Sequence, residues 1–207
     1  MTIEMPSPAM PPFAITLSQA AKAFRGELGM LPTSEAMVNA LLQAEQEAKQ
    51  ERLSIALESL IGDWQLCYTA PRKPRFREGI AIGKGFYAPQ FVRAQISFYL
   101  PTELADRIPG RVEIGNQVQL GSLRFRLTGP AMYSGKKNLL SFDFDQMQLS
   151  LFGKSIYQGR FRSGKIESGS FYSQPIAKLP FFAFFLAMDD FIAARGRGGG
   201  LALWVRV

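Results

Sequence analysis

From Trp64 onward, apolar side chains recur at every second residue, and this period of two limits the fold more than any other feature. Trp64, Leu66 and Tyr68 alternate with Gln65, Cys67 and Thr69, and Val92, Ala94, Ile96, Phe98 and Leu100 alternate with Arg93, Gln95, Ser97 and Tyr99. Successive side chains of a strand point to opposite faces, so these segments read as strands with one apolar and one wet face. That pattern belongs to antiparallel sheets. Val112, Ile114, Val118 and Leu120 continue it, with Asn116 as the one polar residue in their phase. After a break at Gly121, Leu123, Phe125 and Leu127 alternate with Arg124, Arg126 and Thr128.

One segment changes phase. Leu140, Phe142 and Phe144 occupy even positions, whereas Met147, Leu149 and Leu151 occupy odd ones. A regular strand would turn the second set outward, so the sequence predicts a bulge or sharp bend near Gln146. Bulges of this kind let a sheet curl and close. With Ile80–Ile82, Tyr157–Arg162 and the final strand Leu201–Val207, the total is about eight short strands, enough for a closed antiparallel barrel holding one small ligand. No repeat of fixed period points to a propeller or solenoid. The expected barrel lining is Trp64, Leu66, Tyr68, Ile96, Phe98, Val112, Ile114, Leu123, Phe125, Phe142 and Phe144. Seventeen phenylalanines supply the bulk for such an interior.

Before the strands the pattern is helical. Ser18 is placed to cap a short helix through Phe24 and Arg25, closed by Gly26 and Gly29. Thr33 or Ser34 caps a longer one whose face carries Met37, Val38, Leu41 and Leu42, followed by a charged surface from Glu45 to Arg52. Leu53, Leu57, Leu60 and Ile61 continue the helical spacing. A stripe like this packs on a neighbouring sheet of its own domain. The chain thus divides into an extended proline-rich arm (residues 1–14), a helical cap (15–61) and an antiparallel β-barrel (62–207), the last two forming one folding unit.

Composition narrows the chemistry. There is no histidine, which removes the commonest general base, the commonest metal ligand and every Ser-His or Cys-His nucleophile. The single cysteine, Cys67, excludes an intramolecular disulfide and any cysteine-rich metal site. It points away from Trp64 and Tyr68 and has no fixed cation beside it, so it reads as inert. Gly83-Lys84-Gly85 and Ser134-Gly135-Lys136-Lys137 lack the spacing and the strand–loop–helix context of a phosphate loop. Asp143 and Asp145 share one strand face and read as a solvated surface pairing with arginines such as Arg124 and Arg126. No catalytic residue, metal site or cofactor is expected.

The formal charge is +7, from 24 Lys and Arg against 17 Asp and Glu. The cations are spread over many strands, which argues against nucleic acid and leaves an anionic membrane surface or an acidic partner as a match. Residues 1–13 carry four prolines and Glu4, with no arginine and no apolar core of a secretory leader. The run Leu179–Met188 is about half the length of a membrane-spanning helix. The expected location is cytoplasmic, or peripheral on a membrane.

Two motifs suggest a family. Gly62-Asp63-Trp64-Gln65-Leu66-Cys67-Tyr68-Thr69 resembles the opening Gly-x-Trp-x-Leu-x-Tyr-Thr strand of the plastid lipid-associated proteins, or fibrillins. Met188-Asp189-Asp190-Phe191, the glycine-rich turn Arg195-Gly196-Arg197-Gly198-Gly199-Gly200 and the strand Leu201–Val207 resemble their ending. Ile192 stands where that family usually carries a second arginine. The resemblance runs from about residue 15 onward, is specific at these two motifs, and with no transit peptide in view implies a cyanobacterial member. It implies a lipocalin-like barrel, association with thylakoids or lipid globules, and binding of a carotenoid, quinone or fatty acid. Candidate ligand contacts are Trp64, Tyr68, Phe98, Phe125, Phe142 and Phe144, with Asp189 and Arg195 as polar anchors or as an ion pair bracing the last hairpin. Two alternatives stay open, a bilin lyase-like barrel and a membrane-surface scaffold that binds protein partners without a ligand. The oligomeric state is also open.

Overall fold

In the computed structural model, which describes residues 10–27, 29–71, 73–101, 108–160, 168–175 and 178–207, the alternating segments close into a barrel. Its strands are β1 (Gly62–Ala70), β2 (Arg75–Arg77), β3 (Ile80–Ile82), β4 (Phe86–Tyr87), β5 (Val92–Tyr99), β6 (Arg111–Leu120), β7 (Leu123–Ser134), β8 (Leu139–Phe142), β9 (Gln146–Leu151), β10 (Lys154–Arg160), β11 (Phe181–Ala187), β12 (Phe191–Gly196) and β13 (Leu201–Arg206). Eight of them form the ring, in the order β1, β5, β6, β7, β8, β11, β12, β13 and back to β1, every pair antiparallel. The number agrees with the sequence reading, but the membership differs. Among the described residues Ile80–Ile82 pairs only with β2, as a separate hairpin, and the strand of Tyr157 lies outside the ring. The β11–β12 pair takes their places.

The phase change is a bulge at the corner of the ring. β8 and β9 both pair with β7, through Ala131 opposite Phe142 and Thr128 opposite Gln146, so residues 143, 144 and 145 face only 129 and 130. The extra residue restores Met147, Leu149 and Leu151 to the face of Phe142. Asp143 N–H donates to Pro130 O at 3.1 Å and Asp145 N–H to Thr128 O at 3.1 Å, which holds the corner tightly to β7. A Cβ on Gly129 would lie 2.2 Å from the Asp143 carbonyl oxygen. Gly129→Ala should therefore lower stability by about 1–3 kcal/mol through overpacking against backbone. Urea denaturation checks this, and an unchanged midpoint would show that the corner shifts freely.

Beyond the corner, β7 leaves the ring with β9 and β10, and the early part of β5 and the late part of β6 go with it. Val92, Leu120, Leu123 and Leu151 are in register across four strands and continue the interior face past the barrel's end. This extension is a flange. Leu123 and Phe125 thus lie on the expected face but on the flange, and Leu123 is exposed.

Tyr68 is a correction. In β1, Leu66 faces Trp204 and Tyr68 faces Leu203, so Cys67 is an extra residue and the phase inverts after it. Leu66 points inward and Tyr68 outward, where its hydroxyl donates to Ser34 O at 3.0 Å.

Two helices precede the barrel. α1 (Pro12–Phe24) starts earlier than expected, because Pro11 and Pro12 fit a helix N-terminus where no N–H is needed. Residues 12–14, expected in the extended arm, thus belong to the helix, and residues 1–9 lie outside the described ones. α2 (Ser34–Gln50) is capped by Thr33, whose Oγ1 accepts from Ala36 N–H at 3.2 Å. Leu53–Ile61 does not continue the helix and contains one 3-10 turn. Leu17, Ala20, Met37 and Leu41 pack on Cys67, Tyr68, Phe185, Ala193 and Leu203, the outer face of β1 and β11–β13. The helices brace the wall of the barrel and do not lid its mouth. Those strands are buried on both faces, which explains the unbroken apolar run Phe181–Ala187.

Candidate apolar cavity at the barrel mouth

One end of the barrel is plugged. Trp64 Nε1–H donates to Leu60 O at 2.8 Å, and the Arg206 guanidinium lies 4.0 Å above the Trp64 ring. Arg206 also donates to Asp189 O at 2.6 Å and Ile61 O at 3.2 Å. Asn138, in the left-handed region at φ 48°, fastens the segment before β1 to the β7–β8 turn. Its side-chain oxygen accepts from Ile55 N–H at 2.9 Å and its amide donates to Leu53 O at 2.6 Å, while Tyr133 O–H donates to Ile55 O at 2.7 Å.

Above this floor an aromatic chain climbs the wall. Phe98 meets Phe184 edge-on at 5.9 Å between centroids, Phe182 stacks on Phe142 at 5.0 Å and meets Trp204 at 5.4 Å, and Phe142 contacts Phe144 at 5.3 Å. At the mouth the interior opens into a cavity of about 390 Å³ whose lining includes Leu66, Ile96, Asn116, Val118, Phe182 and Trp204. No charged side chain lines it among the described residues. Two polar lining residues are already engaged, since Thr69 Oγ1 donates to Leu201 O at 3.3 Å and the Gln95 side-chain oxygen accepts from Gln117 at 3.0 Å. The half-buried Asn116 carboxamide makes no hydrogen bond to any described residue.

The candidate residues separate accordingly. Phe142 and Phe144 belong to the aromatic wall near the mouth, Phe98 to its floor and Phe125 to the flange above it. Trp64 is buried in the plug, and Tyr68 lies outside the barrel. Asp189 and Arg195 do not meet. The Asp189 side chain is exposed at the turn between β11 and β12. Arg195 lies on the outer wall, where Nε donates to Glu45 Oε1 at 2.8 Å and a terminal nitrogen to Glu45 Oε2, with further bonds to the carbonyls of Gly199 and Pro74. Lys49 Nζ adds a 2.9 Å contact to Glu45. Asp190 instead pairs with Arg25 at the end of α1, at 3.3 Å.

Sequence reasoning missed Glu45, read as part of a charged surface, and Trp204, whose strand carries apolar residues in both phases. Asn116 did stand out as the polar exception on its face, and it lines the cavity. Burial pushes the Cys67 thiol up to about 12, consistent with an unreactive group. No group of residues that could hold a metal ion occurs among the described residues. No helix among them is long and apolar enough to cross a membrane. No family model matches the chain, and no curated protein or solved structure matches it either.

Proposed function

We propose that the protein binds one apolar molecule with a small polar end, a lipid or isoprenoid, at the mouth of the barrel and holds it without chemical change. The observation that carries this reading is the combination of an apolar cavity of about 390 Å³ with one carboxamide, Asn116, that has no hydrogen bond to a described residue. Ligand sites have this composition, in which apolar walls supply affinity and a few polar groups fix orientation. The volume suits part of a long molecule, whose remainder would lie along the apolar face of the flange. The fibrillin-like motifs support the same reading, with a carotenoid, quinone or fatty acid as ligand and a photosynthetic membrane as the place of work. The bilin lyase alternative is disfavoured because no arginine or aspartate side chain lines the cavity among the described residues.

Organic extraction of the purified protein followed by mass spectrometry is the direct test, and a fluorescence titration with cis-parinaric acid is the second. Ala94→Trp places a large ring in the mouth and should weaken probe binding at least about tenfold, the scale set by losing a well-packed apolar contact. Asn116→Leu should weaken it about five- to tenfold by removing the polar anchor. A protein that yields no lipid and does not bind the probe would end this reading.

A further inference from the structure

The end of the molecule that carries the cavity mouth also carries a rim of uncovered apolar side chains. Phe91 precedes β5, Leu120 and Leu123 flank the turn between β6 and β7, and Phe152 lies in the turn between β9 and β10; they are 73%, 54%, 43% and 80% exposed. The tips are neighbours, because Val92, Leu120, Leu123 and Leu151 align across the sheet and Phe152 N–H donates to Ser122 O at 3.0 Å. Isolated exposed apolar residues are ordinary, but several in a row along one edge mark an interaction site.

The strands that carry this rim are basic. Residues 86–100, 114–128 and 146–160 contain Arg93, Arg124, Arg126, Lys154 and Arg160, and no aspartate or glutamate. Arg93, Gln119 and Arg124 align on the polar face, one strand position behind the apolar tips. None of these five cations takes part in an ion pair among the described residues.

From this ordering we propose that the rim is a docking surface for an anionic lipid bilayer, with the cavity mouth opening onto the membrane. One strand position is about 3.3 Å, so with the tips in the outer acyl region the arginines stand at headgroup depth, where long basic side chains reach the phosphates. Each such cation adds about 1 kcal/mol of attraction to an anionic leaflet. A second copy of the chain fits this surface badly, since it would set unpaired cations against each other. Nucleic acid fits less well too, because the aromatic tips and the arginines occupy opposite faces and meet only at the edge. Docking rests on the rim alone, whereas passage of a ligand between bilayer and barrel rests also on the carrier reading above.

Flotation with vesicles tests it, using phosphatidylcholine alone and an equal mixture with phosphatidylglycerol, each at low and high salt. The protein should float with the mixed vesicles at low salt and bind weakly to the neutral ones. Phe152→Ser should reduce binding about tenfold, as expected when one aromatic side chain is withdrawn from an apolar phase. Arg93→Gln, Arg124→Gln and Lys154→Gln together should reduce it about a hundredfold and weaken its salt dependence. All these positions lie on the surface, so the thermal melting curve should be that of the parent protein. Met30→Ser, at an exposed apolar site in the loop between the helices, should bind like the parent. Equal binding to both vesicle types at both salts, or rim variants that bind like the parent, would overturn the proposal. So would affinity of the parent for a single-stranded oligonucleotide in place of vesicles. Probe uptake without flotation would remove docking and leave the carrier reading intact, and flotation without uptake would do the reverse.

Discussion

Deletion of residues 201–207 is expected to abolish the folded state. β13 is hydrogen-bonded on both sides, to β1 and to β12, so its loss opens the ring and leaves two unpaired edges. Leu201, Leu203, Trp204 and Val205 are all buried, Trp204 towards the interior and Leu201, Leu203 and Val205 beneath the helices. Truncating one such core side chain costs about 2–5 kcal/mol, so losing four costs about 8–20 kcal/mol, as much as the 5–15 kcal/mol or so that holds a typical domain together. The shortened chain should be insoluble, or lack near-ultraviolet circular dichroism and a cooperative melt. A soluble monomer with a sharp thermal transition would contradict the assignment of β13 as the strand that closes the ring.

The second large effect is expected at Glu45. Its carboxylate and the Arg195 guanidinium form a two-pronged pair with side chains 10% and 23% exposed, tying α2 to the outer wall and, through the Gly199 carbonyl, to the last hairpin. Glu45→Ala strands a largely buried arginine and should cost about 3–5 kcal/mol. The double substitution Glu45→Leu with Arg195→Met should recover much of that loss, because the desolvation of both charges disappears with them. A double variant as unstable as the single one would show that the pair is not the cause. The pair also sets an acid response. Burial alone would raise the Glu45 carboxyl, but hydrogen bonds and charge from Arg195 and Lys49 outweigh it and hold the group below its ordinary value of 4.5. The folded state therefore binds this proton more weakly than the unfolded chain. The stability involved is fully present above that ordinary value and drains away as pH falls through the lower folded one. Glu45→Gln should flatten the decline of stability on the acid side of pH 4.5, measured by urea denaturation across pH.

Much of the barrel could be read from the chain because its strands keep one face wet. β5, β6 and β7 obey the period of two from end to end, and the bulge near Gln146 announced itself as a change of phase. The lining failed where local backbone irregularity intervened. Tyr68 reads as an inward residue, but one extra residue at Cys67 turns it out beneath α2, and Trp64-Gln65-Leu66-Cys67-Tyr68 contains no glycine or proline to betray the bulge. β11 and β12 were hard to place for a different reason. Strands covered on both faces lose their alternation, so Phe182 and Phe185, which face opposite ways, look alike in sequence. Asp189 and Arg195 seemed natural partners six residues apart. The actual partner of Arg195 lies 150 residues away on a helix, a pairing that no short-range spacing encodes.

The platform beneath the two helices has a consequence for how this chain must be made. It combines β1 with β11, β12 and β13, so the earliest elements rest mainly on the last three strands of the ring. During synthesis the stripes of Leu17, Met37 and Leu41 have no floor until those strands arrive. Contacts this distant in sequence make for slow folding, and waiting amphipathic helices are adhesive to any other apolar surface in reach. Ring closure and helix docking are then a single late event, and a nascent chain of this kind benefits from a chaperone that shields its first fifty or so residues until it happens.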